Sequence, residues 1–132
     1  MKYQRKIFGY ECDVYGHLNN ANYLHLLEEA RSDALEKVGF PVKKFRELGI
    51  HIYLTEANVK FKRGAELEDI VTVDSKYEKF NRLTSTWKQT IYNSRGEVCA
   101  VGEVKGAFVK DGKPFRISKE MLEVFRQSAD QM

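Results

Sequence analysis

The sequence predicts an α+β domain in which a five-stranded antiparallel sheet wraps around one long helix. Apolar residues recur at helical spacing from about residue 21 to 38, whereas the chain beyond residue 50 changes to the two-residue period of strands. Consecutive strands joined by tight turns form an antiparallel sheet. A single long helix then has to bury its apolar stripe against one face of that sheet.

The first strand and the long helix are separated by a polar loop. Residues Tyr3–Phe8 alternate as a strand does, and turn residues follow over Gly9–Gly16. The helical pattern runs over Ala21–Val38, where Asn19 or Asn20 can cap the start. Gly39 and Pro41 end the helix, and a short helical turn is predicted over Val42–Leu48.

Four further strands and a terminal helix complete the prediction. Alternation places the first of these strands over Tyr53–Phe61, with Tyr53, Thr55, Ala57, Val59 and Phe61 on one face. The others are Ile70–Tyr77, Leu83–Tyr92 and Val98–Val109, and the turn at 93–96 joins the last two as a hairpin. After the turn at Asp111-Gly112, an amphipathic helix is predicted over Ser118–Gln127.

Composition limits the classes of function. A length of 132 residues predicts one domain spanning 1–132, and 31% charged with 42% hydrophobic residues is typical of a globular protein. The net charge of +3 is spread along the chain without a basic tail, so nucleic acid is not an expected partner. A small positive excess suits an anionic small-molecule ligand.

The cysteines and the apolar runs indicate where the protein is located, and the histidines bear on metal binding. Cys12 and Cys99 lie far apart, so we expect neither a disulfide scaffold nor a metal site, and a reducing cytoplasm is the simplest location. His25 and His51 have no partner at metal-ligand spacing. No signal peptide and no membrane-spanning run of about 18 apolar residues is apparent.

The stretch from Tyr10 to Arg31 carries the most distinctive chemistry. It places the carboxylate of Asp13 in a loop before the helix, where Gly16 allows a tight turn. Backbone N–H groups at a helix start can stabilise negative charge on a carbonyl oxygen, and a facing carboxylate can act as nucleophile or general base. The simpler interpretation of Asp13 is a turn or capping residue.

The same stretch resembles a known family of enzymes. The pattern D-x-x-G-x(5)-N-Y, formed by Asp13, Gly16 and Asn22-Tyr23 and followed by E-x-x-R at Glu28–Arg31, is similar to that of the 4-hydroxybenzoyl-coenzyme A thioesterases. The similarity continues through FKRGAELEDIVTV, the strand with Trp87 and Gln89, the NSRGEVCAVGEVKGAFV hairpin and DGKPFRIS. This resemblance implies the hotdog fold, with two subunits joining their sheets and the active sites at the interface.

The resemblance also implies roles for particular residues. Asp13 takes the position of the catalytic aspartate, Gly16 that of the turn glycine, and Asn20 that of the helix-start residue whose backbone N–H faces the thioester carbonyl. His17 is expected to be a pocket residue. Glu28 is a reserve candidate, because a second branch of hotdog thioesterases carries its acid near this helical position.

Substrate contacts are predicted less directly. Tyr23 is expected to pack as core at the start of the helical stripe, with a hydroxyl that can reach the pocket rim. Four basic residues near strand ends and turns are candidates for the phosphates of coenzyme A: Lys60, Lys62, Arg63 and Arg82. The same residues are equally suited to protecting sheet edges.

The expected reaction is hydrolysis of an acyl-coenzyme A thioester to a free acid and coenzyme A, without metal or redox cofactor. An enzyme acting on acyl-carrier-protein thioesters and an acyl-binding module without turnover are the alternatives. A hydratase would need a matched Asp and His, and Asp13 with His17 resembles such a pair only superficially. The long apolar strand Val98–Val109 and its neighbours should not stay unpaired, so a homodimer or homotetramer is expected.

Overall fold

A computed structural model describes residues 1–130, so the last two residues of the predicted 1–132 domain lie outside the described part. The helices are α1 (Asn20–Lys37), α2 (Val42–Glu47) and α3 (Lys119–Asp130), with a short 3-10 helix at Gly9–Glu11. The strands are β1 (Lys2–Lys6), β2 (Ile50–Phe61), β3 (Ile70–Phe80), β4 (Thr84–Tyr92), β5 (Val98–Lys110) and the two-residue β6 (Lys113–Pro114). Each predicted helix and strand is therefore present.

The sheet is antiparallel throughout, in the order β1-β3-β4-β5-β2, and β6 pairs with β5. The long strand β5 is not an edge strand, because β4 and β2 pair with it on both sides. The open edges belong instead to β1 and β2. This order confirms a five-stranded antiparallel sheet, with β6 as a short addition.

The long helix α1 packs its apolar stripe onto the concave face of the sheet. Its buried residues are Tyr23, Leu26, Leu27, Ala30, Ala34 and Leu35. Leu27 of α1 packs tightly on Gly102 of β5, where an added Cβ would lie 2.7 Å from Cδ1 of Leu27. A glycine at this position lets the helix sit directly on the strand.

The outer strand β2 departs from simple alternation. A β-bulge lies between Leu54 and Glu56, so Tyr53 pairs with Ala107 while Ala57 pairs with Val104. Because one bulge residue reverses the side-chain alternation, Tyr53 lies on the opposite face from Ala57. The prediction that Tyr53 shares a face with Ala57, Val59 and Phe61 is therefore wrong.

The concave face is held by one buried polar network as well as by apolar packing. Gln89 of β4 is fully buried, and its Nε2 donates to the carbonyl of Leu27 and to Oγ of Ser75, both at 2.9 Å. Its Oε1 accepts from Nη1 of Arg31 at 2.9 Å. Arg31 thus bonds the sheet rather than forming an ion pair with Glu28, and burial lowers the pKa of its guanidinium.

Within residues 1–130, no helix is long and apolar enough to span a membrane. The same residues contain no group of three or more His, Cys, Asp or Glu side chains placed to hold a metal ion.

Candidate active site

The loop before α1 folds as a small ladder with Asp13 near its tip. Asn19 donates its backbone N–H to the carbonyl of Glu11 at 2.9 Å, and Cys12 pairs with Leu18. Asp13 donates its backbone N–H to the carbonyl of His17 at 2.9 Å. Gly16 closes the tip with a φ of +76°, a conformation that side chains other than glycine rarely adopt. The start of the helix and the predicted acid therefore belong to one local structure.

The carboxylate of Asp13 is exposed, and only one of its two oxygens accepts hydrogen bonds. Its Oδ1 accepts the backbone N–H groups of Tyr15 at 2.9 Å and His17 at 3.3 Å. Its Oδ2 accepts no hydrogen bond from any described residue. Asp13 is thus the turn residue of the simpler interpretation, and one of its oxygens is still available for chemistry.

The first turn of α1 leaves one backbone donor available. Asn19 caps the helix, and its Oδ1 accepts the N–H of Ala21 at 3.0 Å, while its carbonyl accepts that of Asn22 at 2.9 Å. The N–H of Asn20 donates to no acceptor within the described residues 1–130. A free N–H at a helix start carries partial positive charge and can bind an oxyanion.

His17 lies across the loop from Asp13, on the same rung of the ladder. Its exposed ring packs against Gly64, where an added Cβ would lie 2.9 Å from Cγ of His17. Its backbone pairs with Glu66, which joins the loop to the segment after β2. The structure therefore brings Asp13, Gly16, His17 and Asn20 together.

Tyr23 does not reach an open pocket rim. It is buried, and its hydroxyl accepts the backbone N–H of Ala65 at 3.0 Å, while its ring meets Phe61 edge-on at 5.0 Å. Burial raises the pKa of the hydroxyl. The burial of Tyr23 agrees with its predicted place in the core. Its hydroxyl holds Ala65, which follows Gly64 in the segment that packs against His17.

The predicted basic residues fall into two separate places. Lys60, Lys62 and Arg63 lie at the end of β2 and just after it, next to Gly64. Arg63 contacts Oε2 of Glu97 at 3.2 Å, and all three are exposed. Arg82 is not grouped with them, because it follows β3 at the opposite end of the sheet, where its Nε donates to the carbonyl of Ile117 at 2.7 Å.

Glu28 is exposed on α1, two turns beyond Asn20. It lies near Arg31. Burial lowers the pKa of the Arg31 guanidinium, and the negative charge of Glu28 opposes this with a smaller effect. The position of Glu28 in the helix puts it on the same face as Leu24 and Arg31.

A cavity of about 20 Å3 under α3 is lined by aromatic and aliphatic side chains, among them Tyr77, Trp87, Phe108 and Phe125. It lies at the end of the sheet opposite Asp13 and has room for little more than a water molecule.

Two contributors to the site were not predicted. Gly64 has no side chain, which makes room for the ring of His17. Glu11 is buried and anchors the loop from below. Both depend on contacts between distant parts of the chain, for which the local sequence pattern has no signal.

Comparison with known proteins identifies the family. The family model described as the thioesterase-like superfamily matches residues 9–125. The chain belongs to this superfamily. The resemblance to hotdog thioesterases is thereby confirmed, as are the hotdog fold and the predicted class of enzyme, a thioester hydrolase.

Individual relatives of this thioesterase agree with that assignment. It is 36% identical over 104 residues to the long-chain acyl-CoA thioesterase FadM of Escherichia coli, covering 76% of each chain. A hypothetical protein of Aquifex aeolicus superposes with a TM-score of 0.90 at 32% identity, covering 95% of this chain and 98% of that one. A DHNA-CoA thioesterase of Staphylococcus aureus superposes with a TM-score of 0.90 at 27% identity, covering 96% and 88%.

Proposed function

We propose that this thioesterase hydrolyses acyl-coenzyme A to a free carboxylic acid and coenzyme A, with Asp13 as the reacting carboxylate. The observation that carries the proposal is the free Oδ2 of Asp13 in a loop that packs onto the start of α1, where the N–H of Asn20 is also free. The coenzyme A carrier is supported by the similarity to a long-chain acyl-CoA thioesterase over most of both chains.

Two routes use the same residues. In the first, Oδ2 of Asp13 attacks the thioester carbonyl carbon, the C–S bond breaks, the thiolate leaves, and water then hydrolyses the mixed anhydride. In the second, Asp13 removes a proton from a water molecule that attacks the carbonyl carbon, and the C–S bond then breaks to release the thiolate. The N–H of Asn20 would bind the oxyanion in both routes, and neither route needs a metal or redox cofactor.

The remaining residues of the site are proposed to hold the substrate. Gly16 leaves the loop tip free of a side chain, and His17 offers a ring nitrogen beside Asp13. Lys60, Lys62 and Arg63 are proposed to meet the phosphates of coenzyme A, because they extend from the same end of the sheet. Glu28 stays the second candidate for the acid.

We infer that a second copy of the chain pairs along β2. This edge strand has 12 residues, and its exposed apolar side chains include Ile52, Leu54 and Phe61, whereas β1 at the other edge has five residues. A long apolar edge is a ready site for pairing with another strand. Such a dimer would enclose the open surface between β2 and α1 and supply a wall for the acyl group.

Light scattering of variants tests this assembly. The parent protein should have at least twice the 15.4 kDa mass of one chain, and Leu54→Lys should weaken the assembly, because a charge would face the partner. Gln4→Lys on the β1 edge is the matched control and should leave the mass unchanged. A monomeric parent at micromolar concentration would refute the pairing.

Release of free thiol tests the function. The parent is assayed with aromatic, short-chain and long-chain acyl-coenzyme A esters, and with the same acyl groups on an acyl carrier protein. We expect turnover of at least one coenzyme A ester and a clear preference for coenzyme A over the protein carrier. Binding without thiol release in every case would favour the acyl-binding module, and faster turnover on the protein carrier would change the substrate class. A cytoplasmic location stays a prediction.

A further inference from the structure

The two arms of the Asp13 loop are held in different ways. The return arm, residues 16–18, is hydrogen-bonded to the segment after β2. The backbone N–H of Leu18 donates to the carbonyl of Ala65 at 2.8 Å, and that of Leu67 donates to the carbonyl of Gly16 at 3.0 Å. The outgoing arm, residues 9–13, has backbone hydrogen bonds only to its own 3-10 turn and across the loop. The arm that carries Asp13 therefore pairs only with the return arm and with no strand of the sheet.

Glu11 supplies the missing attachment. It is 6% exposed, and its carboxylate receives a two-pronged contact from Arg5 of β1, with Nη1 donating to Oε1 at 2.7 Å and Nη2 to Oε2. The same Oε1 accepts the backbone N–H of Phe8 at 3.0 Å. The guanidinium of Arg5 holds the pKa of Glu11 below its usual value, so the carboxylate is ionised at neutral pH.

The backbone of Glu11 faces the other way and bonds the helix. Its carbonyl accepts the N–H of Asn19 at 2.9 Å and Nδ2 of Asn22 at 2.9 Å. One residue thus connects β1 through its side chain and the start of α1 through its main chain. Asp13 follows two positions later, so a shift of Glu11 moves the carboxylate relative to the N–H of Asn20.

Arg5 closes the connection on a second path. Its Nε lies 2.9 Å from Oε1 of Glu29 on α1, an ion contact that is not aligned as a hydrogen bond. The hydroxyl of Tyr3 donates to the same oxygen at 2.8 Å. The guanidinium of Arg5 therefore joins β1, the outgoing arm and α1. Because the guanidinium is planar and donates in two fixed directions, it sets the orientation of the Glu11 carboxylate, which two apolar side chains of similar volume would not do.

We propose that Glu11, oriented by Arg5, is a positioning residue that sets the Asp13 carboxylate against the carbonyl bound at the start of α1. The inference rests on the proposed thioester hydrolysis and adds a requirement for it. Misplacement of a reacting group by about 1 Å can cost about 100-fold in rate. The loss should fall on kcat, because Glu11 is buried beneath the loop and touches no substrate.

The test compares single and double variants by kcat, KM and melting temperature. Glu11→Gln and Arg5→Met should each lower kcat by about tenfold or more, with KM within about twofold of the parent. Arg5→Met should also lower the melting temperature, because it leaves a buried carboxylate unpaired. In Arg5→Met with Glu11→Gln the melting temperature should return towards that of the parent, since no charge is buried, while kcat stays low.

Asp33→Asn is the matched control, because it removes another ion pair of α1, Asp33 with Lys37 at 2.8 Å, that does not touch the loop. Its kcat should equal that of the parent. Parental kcat in Glu11→Gln, or recovery of kcat together with the melting temperature in the double variant, would reduce Glu11 to a structural role and overturn the proposal. A parent that hydrolyses no thioester would refute the proposed function itself, and this inference with it.

Discussion

The two ends of the sheet are built from different interactions. At the Asp13 end, the loop, the start of α1 and the segment around Gly64 are joined mainly by hydrogen bonds, and Asp13 and His17 are exposed. At the opposite end, aromatic rings pack on one another with centroids 5.4 to 6.5 Å apart. These rings are Phe40, Phe45, Tyr77, Phe108 and Phe125.

We expect this difference to separate the source of stability from the proposed source of chemistry. Ring packing removes apolar surface from water, and burial alone raises the pKa of the Tyr77 hydroxyl. Hydrogen-bonded loops hold groups in fixed directions while leaving them open to a ligand. Substitutions at the aromatic end should therefore change unfolding, and substitutions at the Asp13 end should change turnover.

Phe45→Ala should give the largest change in stability. Phe45 is buried between Phe108 and Phe125, so its removal leaves a cavity and should lower the free energy of unfolding by about 3–5 kcal/mol. Urea unfolding measures this, and Val42→Ala on the exposed side of α2 serves as the control. Well below the melting temperature, kcat should stay within about twofold of the parent. A large loss of kcat without loss of stability would erase the distinction between the two ends.

Two glycine substitutions compare the buried middle of the sheet with the Asp13 end. In Gly102→Ala the new Cβ meets the buried Leu27, and overpacking should cost about 1–3 kcal/mol. In Gly64→Ala the new Cβ meets the exposed ring of His17, which can turn away, so stability should change by less than about 1 kcal/mol. Gly64→Ala should instead raise KM or lower kcat. Equal losses of stability in both variants would show that the loop is packed as tightly as the core.

The smallest effect concerns acid. Because Arg5 lowers the folded-state pKa of Glu11 below the reference value of 4.5, this carboxylate contributes stability above about pH 4.5 that is lost as pH falls through the folded pKa. The difference in unfolding free energy between the parent and Glu11→Gln should be constant from about pH 6 to 8 and shrink below about pH 4.5. A difference that stays constant down to about pH 3 would mean that Glu11 is not stabilised as an anion.

The sequence predicts most of the fold because its periodicities are local. The helix predicted over Ala21–Val38 is observed over Asn20–Lys37, and the strand predicted over Val98–Val109 is observed over Val98–Lys110. The strand β2 is the exception, since it begins at Ile50 and its bulge breaks the alternation on which the prediction depended. The order of strands is not contained in periodicity, which is why the sequence does not show that β1 and β2 are the edges of the sheet.

The candidate site was predictable only where one short segment contains it. Asp13, Gly16, His17 and Asn20 lie within eight consecutive residues, so one motif identifies all four. Contacts between distant segments have no such pattern. Arg5 contacts Glu29 because β1 packs beside α1. Gly64 contacts His17 because the loop pairs with the segment after β2. Arg82 was grouped with Lys60 and Lys62 because all three are basic residues near strand ends. In the structure Arg82 follows β3 at the end of the sheet opposite Lys60 and Lys62.

The most direct test of the proposed chemistry is kcat of Asp13→Asn beside Glu28→Gln, with melting temperatures for both. Asparagine keeps an oxygen for the N–H groups of Tyr15 and His17, so the turn and the fold should persist. It lacks the anionic oxygen, and kcat should fall by about 100-fold or more while Glu28→Gln loses much less. Near-parental kcat in Asp13→Asn with collapse in Glu28→Gln would move the reacting carboxylate to the helix and contradict the assignment.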